Sequence, residues 1–283
     1  MDDKTDWGRL SYPHLCGLLG AKPSRLSQAM HNAGFVHLRL PFVYTAFCTT
    51  DTVAGLHAMR GLGFRGLSLT IPHKETAPAL VDGLSSDAAE IKAINTVINN
   101  GEGLYGFNTD WYGVKEALRE VQFSAQGKTA LVFGAGGAAR AALYALKQAG
   151  VAKLCVANRS PARAEDLARA LCAEPVSLDA LSAGFMERVH LFVNATPIGL
   201  ALAGESQSYP FPLEAFGQGQ YVFEMVTRET ELSLAAARCG ATVIPGMRML
   251  LHQALKQFEL FTEHKPPRRE MEEALAAEIK RQM

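Results

Sequence analysis

Gly134-Ala135-Gly136-Gly137-Ala138-Ala139 follows the pattern G-x-G-x-x-A, and the chemistry of that pattern is a phosphate cradle. The first glycine permits a tight turn, the second lets backbone approach a pyrophosphate, and the small Ala139 keeps a following helix close to a sheet. A helix starting here offers N–H groups to the phosphates. The motif alone is weak, so its flanks decide. Residues 129–133 form a short apolar run suited to a buried parallel strand. Ala139, Ala142, Leu143 and Leu146 share one helical face up to Gly150, and residues 153–157 read as a second strand. Strand, glycine turn, helix and strand within about thirty residues is the setting of a dinucleotide site.

The tip of the second strand reads Ala157-Asn158-Arg159-Ser160, with Arg163 one turn later. NAD sites usually carry an acid there to grip the ribose 2′-hydroxyl. None is present, and two guanidinium groups can meet a 2′-phosphate bidentately. The tip therefore favours NADP, with NAD possible. Taken singly, either arginine also reads as a solvated surface residue.

Two more side chains suit the oxidation of an alcohol, which needs a base for the hydroxyl proton while hydride goes to the nicotinamide. Lys74 follows the run 66–70, at the C-terminal edge where open α/β sheets place ligands. Burial or a charged neighbour can tune a lysine there for proton transfer. Asp110 follows the run 104–107, where it can hydrogen-bond an ammonium. Each has a plainer role available. Lys74 alone is a surface lysine, and Asp110 is an N-cap for the helix starting at Trp111, worth about 1 kcal/mol. His31 and His73 read as structural.

The elements that position these residues are predicted in chain order. A strand spans 15–19, and Ser27 caps a helix running through Ala33 that Gly34 ends. Strand 36–40 precedes a helix capped by Thr50 or Asp51, with Val53, Leu56 and Leu62 facing inward. Strand 66–70 comes next, and runs 93–98 and 104–107 around Asn99-Asn100-Gly101-Glu102-Gly103 predict a hairpin. Beyond Arg163 come a helix to Leu171, a strand 190–194, a Gly-, Ser- and Pro-bearing loop near 201–212, and a strand 221–226. A helix 231–239, a strand 242–244 and, past Pro245-Gly246, helices 247–261 and 270–280 complete the chain.

Alternating strands and helices predict an α/β fold with parallel sheets. The polar joint 124–128 divides it into two domains. Residues 1–123, completed by 246–283, form an α/β substrate-binding and catalytic domain, and 124–245 form a Rossmann-type dinucleotide-binding domain. The last two helices exceed what one nucleotide domain needs, so they return to the first domain.

The 283 residues suffice for two such domains with sizeable cores. Lys plus Arg and Asp plus Glu are 28 each, which gives no basic surface for nucleic acid. No run approaches a membrane span, and MDDKTDWGRL at the N-terminus is unlike a signal peptide. Cys16, Cys48, Cys155, Cys172 and Cys239 are scattered without C-x-x-C spacing, which fits reduced thiols in a cytoplasmic protein and argues against structural zinc. No repeat or low-complexity segment occurs.

Five stretches carry a resemblance to the shikimate/quinate dehydrogenase family. They are Gly17-Leu18-Leu19-Gly20 with His31-Asn32; Thr70-Ile71-Pro72-His73-Lys74; Ala93-Ile94-Asn95-Thr96; Gly106-Phe107-Asn108-Thr109-Asp110 with Gly113; and Gly246 through Gln253. With the glycine turn, Asn158-Arg159-Ser160 and Asn194-Ala195-Thr196, they span nearly the whole chain in family order. The resemblance implies that Lys74 and Asp110 are the catalytic pair and that Thr70, Asn95 and Gln253 touch substrate. It adds Asn194, Ala195, Thr196, Met225 and Gly246 to the cofactor side. Two departures stand out. The family's Ser-x-Ser pair, which binds the substrate carboxylate, keeps Ser27 but has Arg25 at its first position, and Gln28 replaces the following proline. Its Val-Tyr-x-Pro stretch is here Val226-Thr227-Arg228-Glu229, about two residues shorter and without the tyrosine that also touches that carboxylate.

The function so implied is an NADP-dependent oxidoreductase of aromatic amino acid biosynthesis, acting on shikimate or a relative such as quinate or an aminoshikimate. Its partner is a small cyclic hydroxy-carboxylate, and a homodimer is possible. Two other functions remain open: a catalytically idle NADP-binding sensor, and an enzyme like methylene-tetrahydrofolate dehydrogenase.

Overall fold

The computed structural model describes residues 12–199 and 208–282, so the N-terminal decapeptide and most of the loop near 201–212 lie outside the described residues. The chain begins β1 (His14–Gly20), α1 (Arg25–His37), β2 (Phe42–Cys48), α2 (Thr52–Gly61), β3 (Gly66–Leu69) and β4 (Gly83–Leu84). Next come α3 (Ser86–Ile91), β5 (Thr96–Asn99), β6 (Leu104–Phe107), α4 (Asp110–Glu120), β7 (Thr129–Phe133), α5 (Gly137–Gln148) and β8 (Lys153–Ala157). Then follow α6 (Pro161–Leu171), β9 (Glu174–Pro175), α7 (Ala183–Met186), β10 (Leu191–Asn194), β11 (Tyr221–Glu224) and α8 (Glu231–Arg238). The chain closes with β12 (Thr242–Pro245), α9 (Gly246–Thr262) and α10 (Arg268–Gln282). It forms two compact units. The first comprises residues up to Ser85, Asn95–Phe107 and residues from Ala254, and the second comprises Ser86–Ile94 and Asn108–Gln253.

In the first unit the strand order is β2-β1-β3-β5-β6-β4. β1 runs parallel to β2 and β3, whereas β5 is antiparallel to both β3 and β6. The sheet is therefore mixed: parallel across β2, β1 and β3, and antiparallel through the expected hairpin of β5 and β6, which a turn as short as residues 100–103 can join only in that sense.

Helix α1 departs from the expectation at both ends. Its N-cap is Ser24, whose Oγ accepts the Leu26 N–H at 3.1 Å, and Ser27 lies inside the first turn. Gly34 does not end the helix. It is a packing glycine, since a Cβ there would come within 2.6 Å of the Phe258 ring and 3.3 Å of Met271. The helix runs on to His37 and leaves Val36 exposed, so no strand spans 36–40. The second strand starts after Pro41 instead. The Asn32 side chain holds its free edge, accepting from Tyr44 N and donating to Tyr44 O, each at 2.9 Å. In α2, capped by Asp51, the inward face is Thr52, Leu56 and Met59, while Val53 and Leu62 are exposed. From that cap, steps of three and four residues select 52, 56 and 59.

The second unit has the order β12-β11-β10-β7-β8-β9, all parallel, which reverses direction between β7 and β10 as a doubly wound dinucleotide fold does. β7 and β8 occupy the expected residues. Both faces of the sheet are buried: Ala130 and Val132 join one apolar cluster, Leu131 and Phe133 the other. Val114, Ala117 and Leu118 of α4 belong to the first cluster, so this helix, which precedes the polar joint at 124–128, packs with the second unit.

His31 is structural, as expected. It sits in the core of the first unit, stacked 4.4 Å from Tyr44 and bordered by Phe35, Phe258 and Phe261. Neither ring nitrogen makes a geometric hydrogen bond, although the Gln257 amide is near enough to favour the charged form slightly. Burial dominates and pushes the His31 pKa from 6.5 down to about 3. Between those limits the unfolded chain takes up a proton that the folded chain refuses. Stability therefore falls with pH below about 6.5, by up to about 1.4 kcal/mol per unit from this group. Urea unfolding of wild type and His31→Leu at pH 7.5, 6.0 and 5.0 checks this. The expected outcome is a flatter acid dependence in the variant, and equal slopes would assign the acid sensitivity to other groups.

Candidate functional site

The first unit gathers one set of the expected residues where β1 and β3 end. Thr70 N donates to Leu19 O and Ala21 N to Ile71 O, both at 3.0 Å, so the two exits are tied together. The chain passes a cis Ile71–Pro72 bond into a short helical turn, His73–Glu75. His73 is fully buried. Its Nδ1 pairs with Thr52 Oγ1 at 2.8 Å and its Nε2 with Thr49 O at 3.0 Å. The ring therefore anchors the backbone from which half-buried Lys74 projects. Asn95 belongs to the same strand end, its carbonyl accepting Leu69 N–H at 2.7 Å. Its side chain is buried, with Oδ1 accepting from Thr96 Oγ1 at 2.9 Å.

Arg25 and Ser27 open α1, just past β1. Arg25 is exposed at the first helical position, whereas Ser27 is buried and its hydroxyl faces the Tyr44 phenol.

The second unit holds the remaining set. Asp110 is the first residue of α4 but does not cap it. Thr109 is the N-cap, and Asn108 Oδ1 accepts the N–H groups of Asp110 at 3.0 Å and Trp111 at 3.3 Å. The plainer role for Asp110 thus falls to its neighbour. Thr109 Oγ1 also donates to Gln253 Oε1 at 3.4 Å, which places Gln253 beside the start of α4.

Gly134 follows β7 and Asn194 ends the adjacent β10, at the point where the strand order reverses and where such folds bind ligands. Gly134 has φ +122°, and a Cβ there would lie 2.9 Å from Ala195 O, so only glycine fits. Gly136 is the N-cap of α5 and supplies no side-chain cap, which leaves the first-turn N–H groups to other acceptors. These features fit a dinucleotide's phosphates. Arg159 is exposed and lines, with Asn158, a cavity of about 360 Å³. No acid stands at the strand tip, but Glu165 and Asp179 line the same cavity. Arg163 differs from Arg159, because its Nη2 donates to Ala135 O at 3.0 Å across the glycine turn.

Asn194 turns out to be a hub. Its Oδ1 accepts from Thr196 N and Oγ1, and its Nδ2 donates to Glu224. Glu224 is buried and also accepts from Val226 N at 2.9 Å and Thr230 Oγ1 at 2.7 Å. Burial raises its pKa, opposed by those donors. Gly246 begins α9 with the carbonyls of Glu224, Met225 and Val226 all within 2.7 Å of where a Cβ would stand. Sequence reasoning passed over Glu224, and also Gln257, which lies four residues after Gln253 between the apolar Leu255 and Phe258. A polar residue breaking an apolar helical stripe was the available signal.

Three parts of the chain match described families. Residues 21–97 match the "Shikimate dehydrogenase substrate binding domain", 115–202 "Shikimate / quinate 5-dehydrogenase", and 246–276 the "Shikimate 5'-dehydrogenase C-terminal domain". A relative from Moorella thermoacetica named shikimate dehydrogenase (NADP(+)) is 40% identical over 253 residues, covering 86% of this chain and 85% of the relative. The shikimate 5-dehydrogenase of Thermus thermophilus, solved with NADP(H) and shikimate, superposes with TM-score 0.82 at 36% identity, covering 94% of this chain and 99% of that one. The quinate dehydrogenase of Corynebacterium glutamicum, solved with NAD, gives TM-score 0.85 at 30% identity, with the same coverage.

Proposed function

The chain belongs to the shikimate dehydrogenase family, and from that premise we propose that it interconverts a ring hydroxyl of shikimate and the corresponding 3-dehydro ketone. It is an oxidoreductase, and its cofactor is NADP. The observation that carries the substrate is the likeness, over most of its length, to a relative named for shikimate and NADP.

NADP, when bound, gives or takes the hydride. Everything else falls to the chain's own side chains. Lys74 and Asp110 take and return the hydroxyl proton. The bonds of His73 hold the Lys74 backbone in place. Thr70, Asn95 and Gln253 hold the ring hydroxyls. Gly134 and Gly136 to Ala139 receive the pyrophosphate, and Asn158, Arg159, Ser160 and Arg163 surround the adenosine 2′-phosphate. Because Arg163 already spends one arm on Ala135 O, Arg159 carries most of the choice between NADP and NAD.

Quinate is the second substrate to consider, and Arg25 bears on the carboxylate that it shares with shikimate. Ser24 supplies the helix cap, so Arg25 adds nothing there, and a cation near a helix N-terminus costs a few tenths to about 1 kcal/mol. A substrate carboxylate gives the guanidinium a purpose, since two parallel charge-assisted bonds can clasp it. Such a clamp offsets both the lost serine and the lost tyrosine.

Absorbance of the reduced nicotinamide, with shikimate and quinate each against NADP and NAD, tests the whole proposal. Turnover is expected to be fastest with shikimate and NADP. Cofactor binding without turnover of either acid would leave a cofactor-binding protein only. Lys74→Ala should lower kcat by on the order of 10²–10⁴ with NADP affinity nearly unchanged. A variant keeping more than about a tenth of the activity would rule Lys74 out as the proton-handling group, given that range. Arg159→Ala should weaken NADP much more than NAD, and equal losses would move the discrimination elsewhere. Arg25→Ala should raise KM for the cyclic acid by roughly 1.5–3 kcal/mol while kcat changes less. An unchanged KM would place the carboxylate away from Arg25.

A further inference from the structure

Five buried polar side chains of the first unit form one chain of hydrogen bonds with a fixed sense. Tyr44 OH donates to Ser68 Oγ at 2.8 Å, and Ser68 Oγ donates to Gln257 Oε1 at 2.9 Å. With its oxygen so engaged, Gln257 turns its nitrogen the other way, donating to Thr96 Oγ1 at 3.0 Å and to Asn95 O at 3.2 Å. Thr96 then sends its single hydroxyl proton to Asn95 Oδ1 at 2.9 Å.

None of the five is more than 3% exposed, so water has no access to exchange donors for acceptors. Burial also holds the Tyr44 phenol in its protonated, donating form. His31 and Ser27 fix that phenol from either side, the first by stacking and the second by its hydroxyl. A planar amide whose oxygen accepts from Thr96 turns its nitrogen the other way. Flipping Asn95 would set its N–H groups against the Thr96 proton, which cannot turn to the Gln257 nitrogen, itself a donor.

We propose that Gln257 and Thr96 are positioning residues that set the sense of the Asn95 side-chain amide, so that its nitrogen, not its oxygen, is offered to a substrate hydroxyl. The proposal rests on Asn95 being a substrate contact. It makes the group opposite Asn95 an acceptor, either a hydroxyl or a carbonyl oxygen, and it disfavours an ammonium substituent at that place on the ring.

Thr96→Val keeps the side-chain shape and removes the proton that pins Asn95. KM for shikimate should rise about three- to tenfold, the worth of a neutral hydrogen bond, with kcat changing by less than about twofold. Thr96→Ser, which keeps the hydroxyl, should restore KM. In an Asn95→Ala background, Thr96→Val should add nothing further. If Thr96→Val raised KM as much in that background, or left it unchanged in wild type, the positioning role would be overturned. Should Asn95→Ala itself leave KM unaltered, the substrate role of Asn95 fails and the side-chain amide resonances of Asn95 decide the rest. They should shift in Thr96→Val and in Gln257→Leu, and resonances unmoved in both would dismiss the relay.

Discussion

A polar group cut off from water must find its partner within the protein, and in both units that constraint lies directly beneath the residues of the proposed site. In the first unit, Tyr44, Ser68, Gln257 and Thr96 answer one another and end on Asn95. In the second, Asn194, Glu224 and Thr230 answer one another and end on the turn at Thr196. Half-satisfied, either network would cost more than an apolar core of the same shape. Satisfied, each leaves a side chain or a turn with one orientation. The sheets supply the place, at the C-terminal ends of parallel strands, and the buried networks supply the direction.

How much of this was legible in the sequence depended on how local its cause was. The run from β7 through the glycine turn and α5 to β8 could be read almost residue by residue. Its signals, apolar strand, φ-demanding glycine and small helix face, all act within the segment itself. The hairpin of β5 and β6 was legible for the same reason. Gly34 misled because its role is tertiary: it makes room for Phe258 and Met271, more than two hundred residues away in the chain. Read locally, a glycine after an apolar helix is a stop, and that one assignment displaced the following strand from 42–48 to 36–40. Ser27 misled in a similar way, since Ser24 had equal claim to the cap and only the Leu26 N–H bond separates them.

The residues of the proposed site could be picked out of the sequence as types and not as geometry. Lys74, Asn95, Asp110 and Gln253 stood out jointly, whereas nothing local showed that Asn108, not Asp110, would serve the first N–H groups of α4. The asparagine therefore serves the N–H groups that the aspartate was read as capping. Gln257 broke an apolar stripe, but its purpose was not legible because its partners, Ser68 and Thr96, lie on two strands far away in sequence. Proximity also groups α3 and α4 with the nucleotide-binding sheet, while α9 starts in one unit and ends in the other. Composition marks the polar joint at 124–128 but carries no sign of where a helix packs.

The stretch 225–230, between β11 and α8, shows how one buried side chain can hold a connection. Its middle residues, Arg228 and Glu229, are exposed, but the polar groups at its buried positions Val226 and Thr230 must find partners within the protein. Here one side chain takes up the demand. Glu224 accepts the Val226 N–H and the Thr230 hydroxyl, while Thr230 and Ser233 cap α8 reciprocally. The same tight path stacks the carbonyls of Glu224, Met225 and Val226 around Gly246, so that α9 can begin only on a residue without a side chain. The helix that carries Gln253 and Gln257 therefore starts against the backbone of that same connection. In this chain the connection after β11 is held by Glu224 and closes around the first residue of α9.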